Sequence, residues 1–354
     1  MRNFDGGILD SSVLDRQKNI WEQKNTFSFV LIVYFVCMLL FVALRVSIDF
    51  GLTDNMSREA REVSFSFLSQ VVIMLVIPIV AMKIYSRDTY KKTLLNFGFG
   101  KTSWRVVRWA FVLGLLIYIL NIFVASFFHL LLTFFDFKFL GMGGGSAFGT
   151  GFVGILISLV LIGVLPGACE ESSHRGMLLQ SFKARLGVMR AVLLTSILFG
   201  FMHMNIVQMF YATILGYLIA LAVLATRTIW TGVIMHFMNN AINVMNRTDW
   251  FFGEWLQSLF EFFAGPFGFI LLIAFLYFVY WAIMDIIHRF AKENYVAGEY
   301  SVNTSRLRKS EAIKYYLQDG TPVTRLRPGE KALLCGVLLF GFLVTAFTFW
   351  WGVI

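Results

Sequence analysis

Residues 27–46 read FSFVLIVYFVCMLLFVALRV, twenty positions with a single charge, Arg45, near the end. A helix of that length spans about 30 Å, the thickness of a bilayer's hydrocarbon core. The run is continuously apolar and does not alternate with period two, so it reads as a helix and not as a barrel strand. Similar runs follow at Phe65–Tyr85, Trp109–Phe134, Phe152–Pro166, Ala191–Met204, Ile206–Thr226, Ile229–Met245, Phe267–Ile287 and Ala332–Val353. The chain is therefore expected to be an all-α polytopic transmembrane helix bundle of about nine spans. Composition agrees: of 354 residues 58% are hydrophobic and 14% charged, against about a quarter charged in an ordinary soluble domain. The mean hydropathy is +0.72. One soluble core cannot hide so much apolar surface, which excludes a soluble enzyme, a disordered tail and a nucleic-acid module.

The net charge of +9 is read as loop charge beside a membrane, with no nucleic-acid partner. Basic residues gather in the second connection (Arg87, Lys91, Lys92, Lys101, Arg105, Arg108), the fourth (Arg175, Lys183, Arg185, Arg190) and the eighth (Arg289, Lys292, Arg306, Arg308, Lys309, Lys314, Arg325, Arg327). The third has only Lys138 and the seventh only Arg247, beside Asp249, Glu254 and Glu261. This alternation places the N-terminus in the cytoplasm and the C-terminus outside. Arg58 and Arg61 in the first connection and Arg227 in the sixth fit less cleanly. The expected organisation is a cytoplasmic segment at 1–26, a bundle at 27–288, a polar cytoplasmic loop at 289–330 with a short helix around Glu311–Leu317, and a last spanning helix at 331–354. The stretch Gly141–Gly151, GMGGGSAFGTG, reads as a flexible outer loop. Cys37, Cys169 and Cys335 are far apart and suggest neither a disulfide framework nor a CxxC zinc site.

Ionisable groups inside a membrane are costly, which makes each a functional candidate. In Glu170-Glu171-Ser172-Ser173-His174-Arg175, helical spacing puts Glu171 and Arg175 on one face as an ion pair and leaves Glu170 pointing elsewhere. A carboxylate in apolar surroundings suits acid–base work, although a solvated cluster ending a helix has the same pattern. His203 sits four residues after Phe199 and packs beside it; a lone histidine on an apolar helix is often structural. His236 and Asn240 share a face and offer donors for an oxyanion, or simply polar glue between helices. His129 and Asp285 have no evident sequence partner and are assigned to packing or interface positions. HExxH, GxGxxG and P-loop motifs are lacking.

Taken in order, EExxxR at Glu170–Arg175, FxxxH at Phe199–His203 and HxxxN at His236–Asn240 resemble the signature of the CPBP intramembrane proteases, which include the type 2 CAAX prenyl endopeptidases and the bacterial Abi proteins. Gly176 followed by Met177-Leu178-Leu179-Gln180 extends the likeness, which covers a core at about 152–245. His174 is a departure, since the family more often has an aromatic or apolar residue there. The resemblance implies an intramembrane endopeptidase acting on a membrane protein or membrane-anchored peptide, in a bacterial plasma membrane. Glu170 and His203 would activate a water, His236 and Asn240 would hold the oxyanion, and the pair Glu171 and Arg175 would fix the first motif. Glu170, His203 and His236 also make a possible zinc ligand set; the metal-free scheme, with no cofactor, is the one favoured.

Depth is a difficulty for this scheme. With the fourth run ending at Pro166, Glu170 falls near the cytoplasmic end while His203 is about 20 Å into the fifth run. The sites meet only if the fifth helix begins nearer the cytosol or the Pro166-Gly167 pair breaks the fourth. Two other functions fit the bundle: a non-catalytic scaffold or immunity protein, and a transporter or channel using the same polar residues.

Overall fold

The computed structural model describes residues 20–137, 147–246, 262, 267–295, 307–317 and 324–353. Most of the N-terminal segment, residues 141–146 of the glycine-rich stretch, Lys138, Arg247, Asp249, Glu254, Glu261 and Arg306 lie outside the described residues.

The described chain is helical. Long rods are α1 (Thr26–Asp49), α2 (Arg58–Ser86), α4 (Trp104–Thr133), α5 (Phe152–Leu186), α6 (Val188–Met202), α7 (Ile206–Thr226), α8 (Ile229–Asn246), α9 (Gly268–Glu293) and α11 (Pro328–Val353). Short helices α3 (Tyr90–Asn96) and α10 (Lys309–Leu317) lie between them. Each of the nine apolar runs thus has its helix. Seven of these are long and apolar enough to cross a membrane among the described residues; α6 is shorter, with 15 residues, and α8 falls outside that group. The chain is a multi-pass membrane protein by this measure. Its broad apolar exposure, for example Ile32, Leu115, Phe278 and Phe342, suits a lipid-facing surface.

The main correction to the sequence reading concerns α5. It does not stop at Pro166 but runs on to Leu186, so Glu170, Glu171 and Arg175 are inside a helix and Arg175 is not a loop charge. Neither of the two escapes from the depth difficulty is needed in the form expected. The antiparallel turn falls at Gly187, whose φ of +80° suits glycine. Glu170 lies 17 residues before that turn and His203 lies 16 residues after it. At ~1.5 Å per residue both stand about 25 Å from it, level with each other.

Proline does not break α5 because its backbone is repaired. Pro166 has no N–H for the carbonyl four residues back, at Ile162. The rod widens to a π-helical turn at Leu159–Val164, and Asn240 Nδ2 on α8 donates to the Ile162 oxygen at 2.9 Å. The same solution occurs in α2. Pro78 follows the π-helical stretch Phe67–Val76, and the Met74 carbonyl it leaves free accepts from Ser173 Oγ at 2.6 Å. A third π-helical stretch, Ser172–Leu178, follows directly on the two glutamates. Such stretches are frequent at functional sites.

Small residues let the rods approach closely. A Cβ on Gly167 would sit 3.1 Å from the Val233 carbonyl of α8. Helix α8 thereby packs into a groove between α4, α5 and α7, while α6 is held between α5, α7 and α11. At the end of α6, Asn205 Oδ1 caps α7 by accepting from the Val207 and Gln208 N–H groups at 2.8 and 3.3 Å. That cap fixes the turn directly after His203.

Candidate active site

The site is built on α5, α6 and α8, with one arm from α2. Arg175 and Glu171 form the ion pair expected: Nη1 donates to Oε1 at 2.7 Å, with the side chains 1% and 0% exposed. Two buried charges are tolerable only when paired and further satisfied. Arg175 Nη2 accordingly donates to the Gly216 carbonyl at 3.1 Å, and the guanidinium lies 4.4 Å over the Phe199 ring.

Glu171 has a second task that the motif alone does not suggest. Its Oε1 lies 3.1 Å from His236 Nδ1. A carboxylate paired with arginine only accepts, so Nδ1 carries the proton and Nε2 faces away from Glu171. His236 Nε2 stands 4.0 Å from Glu170 Oε2, too far for a direct bond. His203 is fixed in the same manner: Nδ1 is 2.9 Å from the Phe199 carbonyl, which leaves Nε2 with its lone pair.

Phe199 is the hub. Its ring meets His174, His203 and His236 nearly edge-on, at centroid distances of 4.9, 5.0 and 5.6 Å, besides carrying Arg175. It is fully buried. Four cationic or polar groups therefore share one apolar wall, whose quadrupole favours positive charge at its face.

Asn240 is held one step away. Asn121 Nδ2 on α4 donates to Asn239 Oδ1 at 3.0 Å, Asn239 Nδ2 donates to Asn240 Oδ1 at 3.1 Å, and Asn240 Nδ2 reaches Ile162. One hydrogen of that NH₂ remains for another acceptor. His174 is tied to the backbone, with Nδ1 2.8 Å from the Glu170 carbonyl and Nε2 3.1 Å from Tyr34 Oη. Asp285 is remote and has partners, Arg289 at 2.7 Å and Lys309.

Three further residues belong to this arrangement. Gln70 Nε2 on α2 donates to Glu170 Oε1 at 2.9 Å, Tyr34 on α1 buttresses His174, and Asn121 begins the amide chain. Each is a polar side chain in an apolar run, and that is the only signal the sequence offers for them.

The zinc set was Glu170, His203 and His236. Each has its second atom engaged by another group, as metal-ligating side chains commonly do. Among the described residues, however, no three His, Cys, Asp or Glu side chains stand close enough to share one ion.

Residues 152–242 match the family model described as type II CAAX prenyl endopeptidase, Rce1-like. Over this stretch the chain is similar to the Rce1-like endopeptidases. The matched stretch contains all six motif residues, Glu170, Glu171, Arg175, His203, His236 and Asn240, and ends within α8. Gln70, Tyr34 and Asn121 come from outside it. No curated protein and no solved structure matches the chain.

Proposed function

We propose that the protein is an intramembrane endopeptidase that hydrolyses a peptide bond of a membrane-associated protein or peptide, with Glu170 as the base. The carrying observation is the division of labour between the Glu170 oxygens. Oε1 is occupied by Gln70, and Oε2 is left facing the Nε2 side of His236. A water held there has an acceptor for its proton, and His203 Nε2 offers a second lone pair to orient it.

The chemistry balances without a metal. Glu170 Oε2 takes a proton from the water as its oxygen bonds to the scissile carbonyl carbon. The carbonyl π pair moves onto oxygen. That oxyanion accepts from the free hydrogen of Asn240 Nδ2, and from His236 Nε2 when that nitrogen carries a proton. As the carbon–nitrogen bond breaks, the proton on Glu170 passes to the leaving amine. Hydrogen-bond donors at the oxyanion act more strongly in a largely apolar site than in bulk water.

The Rce1-like similarity favours a prenylated, CAAX-like tail as the first substrate to try, followed by peptide precursors and membrane proteins. The cytoplasmic N-terminus and the bacterial plasma membrane belong to the same proposal, supported by the basic residues at Arg87–Arg108 and at the helix ends around Gly187, Lys183, Arg185 and Arg190.

The test is cleavage of membrane-anchored peptides by detergent-purified protein, comparing wild type, Glu170→Ala and His203→Ala. Loss of cleavage in both variants is expected. A Glu170→Ala protein that keeps its activity in the host favours a scaffold instead.

A further inference from the structure

We infer that Gln70 is a positioning residue for Glu170: its amide N–H holds one carboxylate oxygen and so commits the other to the reacting water. The inference rests on the reading of Glu170 as the base.

Gln70 lies in the π-helical stretch of α2, outside the Rce1-like stretch, and is 8% exposed. Its Nε2 donates to Glu170 Oε1 at 2.9 Å. Its own Oε1 is buried and has no hydrogen-bond partner among the described residues. A side chain that gains one hydrogen bond and strands one acceptor adds little to stability. Methionine or leucine would fill the same apolar space without the stranded oxygen. What glutamine supplies that they do not is the N–H on Glu170.

The geometry around it is built, not incidental. Ser173 lies three residues after Glu170 on α5, and Met74 lies four after Gln70 on α2, so the two pairs form successive rungs between the same rods. The Met74 carbonyl that Pro78 leaves free accepts from Ser173 Oγ at 2.6 Å. That rung sets the height of α2 against α5 and brings the amide to Glu170. Rotation of the carboxylate about its terminal torsion is broad when unrestrained. With Oε1 held, Oε2 keeps its position 4.0 Å from His236 Nε2.

Gln70→Met keeps the length of the side chain and removes the donor. The probe is a quenched fluorescent peptide with a farnesylated cysteine four residues from its C-terminus, assayed on full-length protein in detergent. Because Gln70 acts through the base and not on the substrate, kcat is expected to fall about tenfold while KM stays within about twofold and the thermal midpoint is unchanged or higher. Gln70→Leu is the second variant. An unchanged kcat, a change confined to KM, a loss that follows a lowered midpoint, or failure of both variants to fold overturns the inference. Glu170→Gln is run alongside. If it is inactive while Gln70→Met is fully active, only this inference falls. If Glu170→Gln is active, or wild type leaves the peptide intact, the reading of Glu170 falls with it.

Discussion

Glu171 Oε1 lies 2.7 Å from Arg175 Nη1 and 3.1 Å from His236 Nδ1, so one buried carboxylate oxygen both neutralises the arginine of the first motif and sets the tautomer of the third-motif histidine. Helices α5 and α8 are thereby coupled at the level of the site. Glu171 is thus held by two partners, and Glu170, its neighbour in sequence, is the group proposed for the chemistry.

Removing Glu171 is expected to destabilise the protein strongly. Glu171→Ala strands a guanidinium that is 1% exposed, a loss of about 3–5 kcal/mol. Thermal unfolding in detergent should show a clearly lowered midpoint. The double variant Glu171→Ala, Arg175→Met should recover part of it without restoring cleavage, because His236 still lacks its partner.

Gly232 provides the space for that carboxylate. A Cβ there would sit 2.5 Å from Glu171 Oε2 and 2.9 Å from Val223 Cγ2. Gly232→Ala is expected to cost about 1–3 kcal/mol and to reduce cleavage by displacing the pair. Gly336→Ala is the control, since nothing lies within 4 Å of its added carbon. In the interior of α11 it should be neutral or stabilising by up to about 1 kcal/mol. Paired melting curves and cleavage rates check both.

Phe199 is expected to be as sensitive as the charged residues. Phe199→Ala removes the wall shared by three imidazoles and Arg175 and should cost about 3–5 kcal/mol. Phe199→Tyr, which keeps the ring, should retain more of the fold. Expression yield and the unfolding midpoint report the difference.

The amide chain gives a subtler expectation. Asn239→Ala cuts the link from Asn121 to Asn240, at about 0.6–2 kcal/mol for a polar contact between membrane helices. Asn240 should then be less well aimed at the oxyanion. Cleavage is expected to fall about tenfold with little change in KM, and a steady-state kinetic comparison decides it.

Cleavage by wild type is expected to persist in the presence of a strong zinc chelator, because the proposed scheme activates water through Glu170 and routes no step through a metal. Loss of activity on chelation, restored by added zinc, would mean that the ligands close around an ion.

The helices were largely legible because lipid demands long unbroken apolar runs, and Ile206–Thr226 has the same bounds in sequence and structure. The end of α5 was not. Pro166 and the charges from Glu170 to Arg175 read as a helix terminus, and only partners on other rods, Asn240 at Ile162, Gly216 at Arg175 and His236 at Glu171, let the helix continue. The motif residues stood out because charge is rare in such a chain. Gln70 and Asn121 are neutral amides within apolar runs, and the residues they serve lie 100 and 118 positions away. Local spacing carries no trace of such pairs.

The most direct measurement compares cleavage by wild type and Glu170→Gln in the same detergent. The variant keeps the shape of the side chain and an oxygen to accept from Gln70, so the bundle should melt as wild type does. The expected result is a loss of about 10²–10⁴-fold, the usual contribution of a general base. Cleavage at the wild-type rate would contradict the assignment of Glu170 as the base.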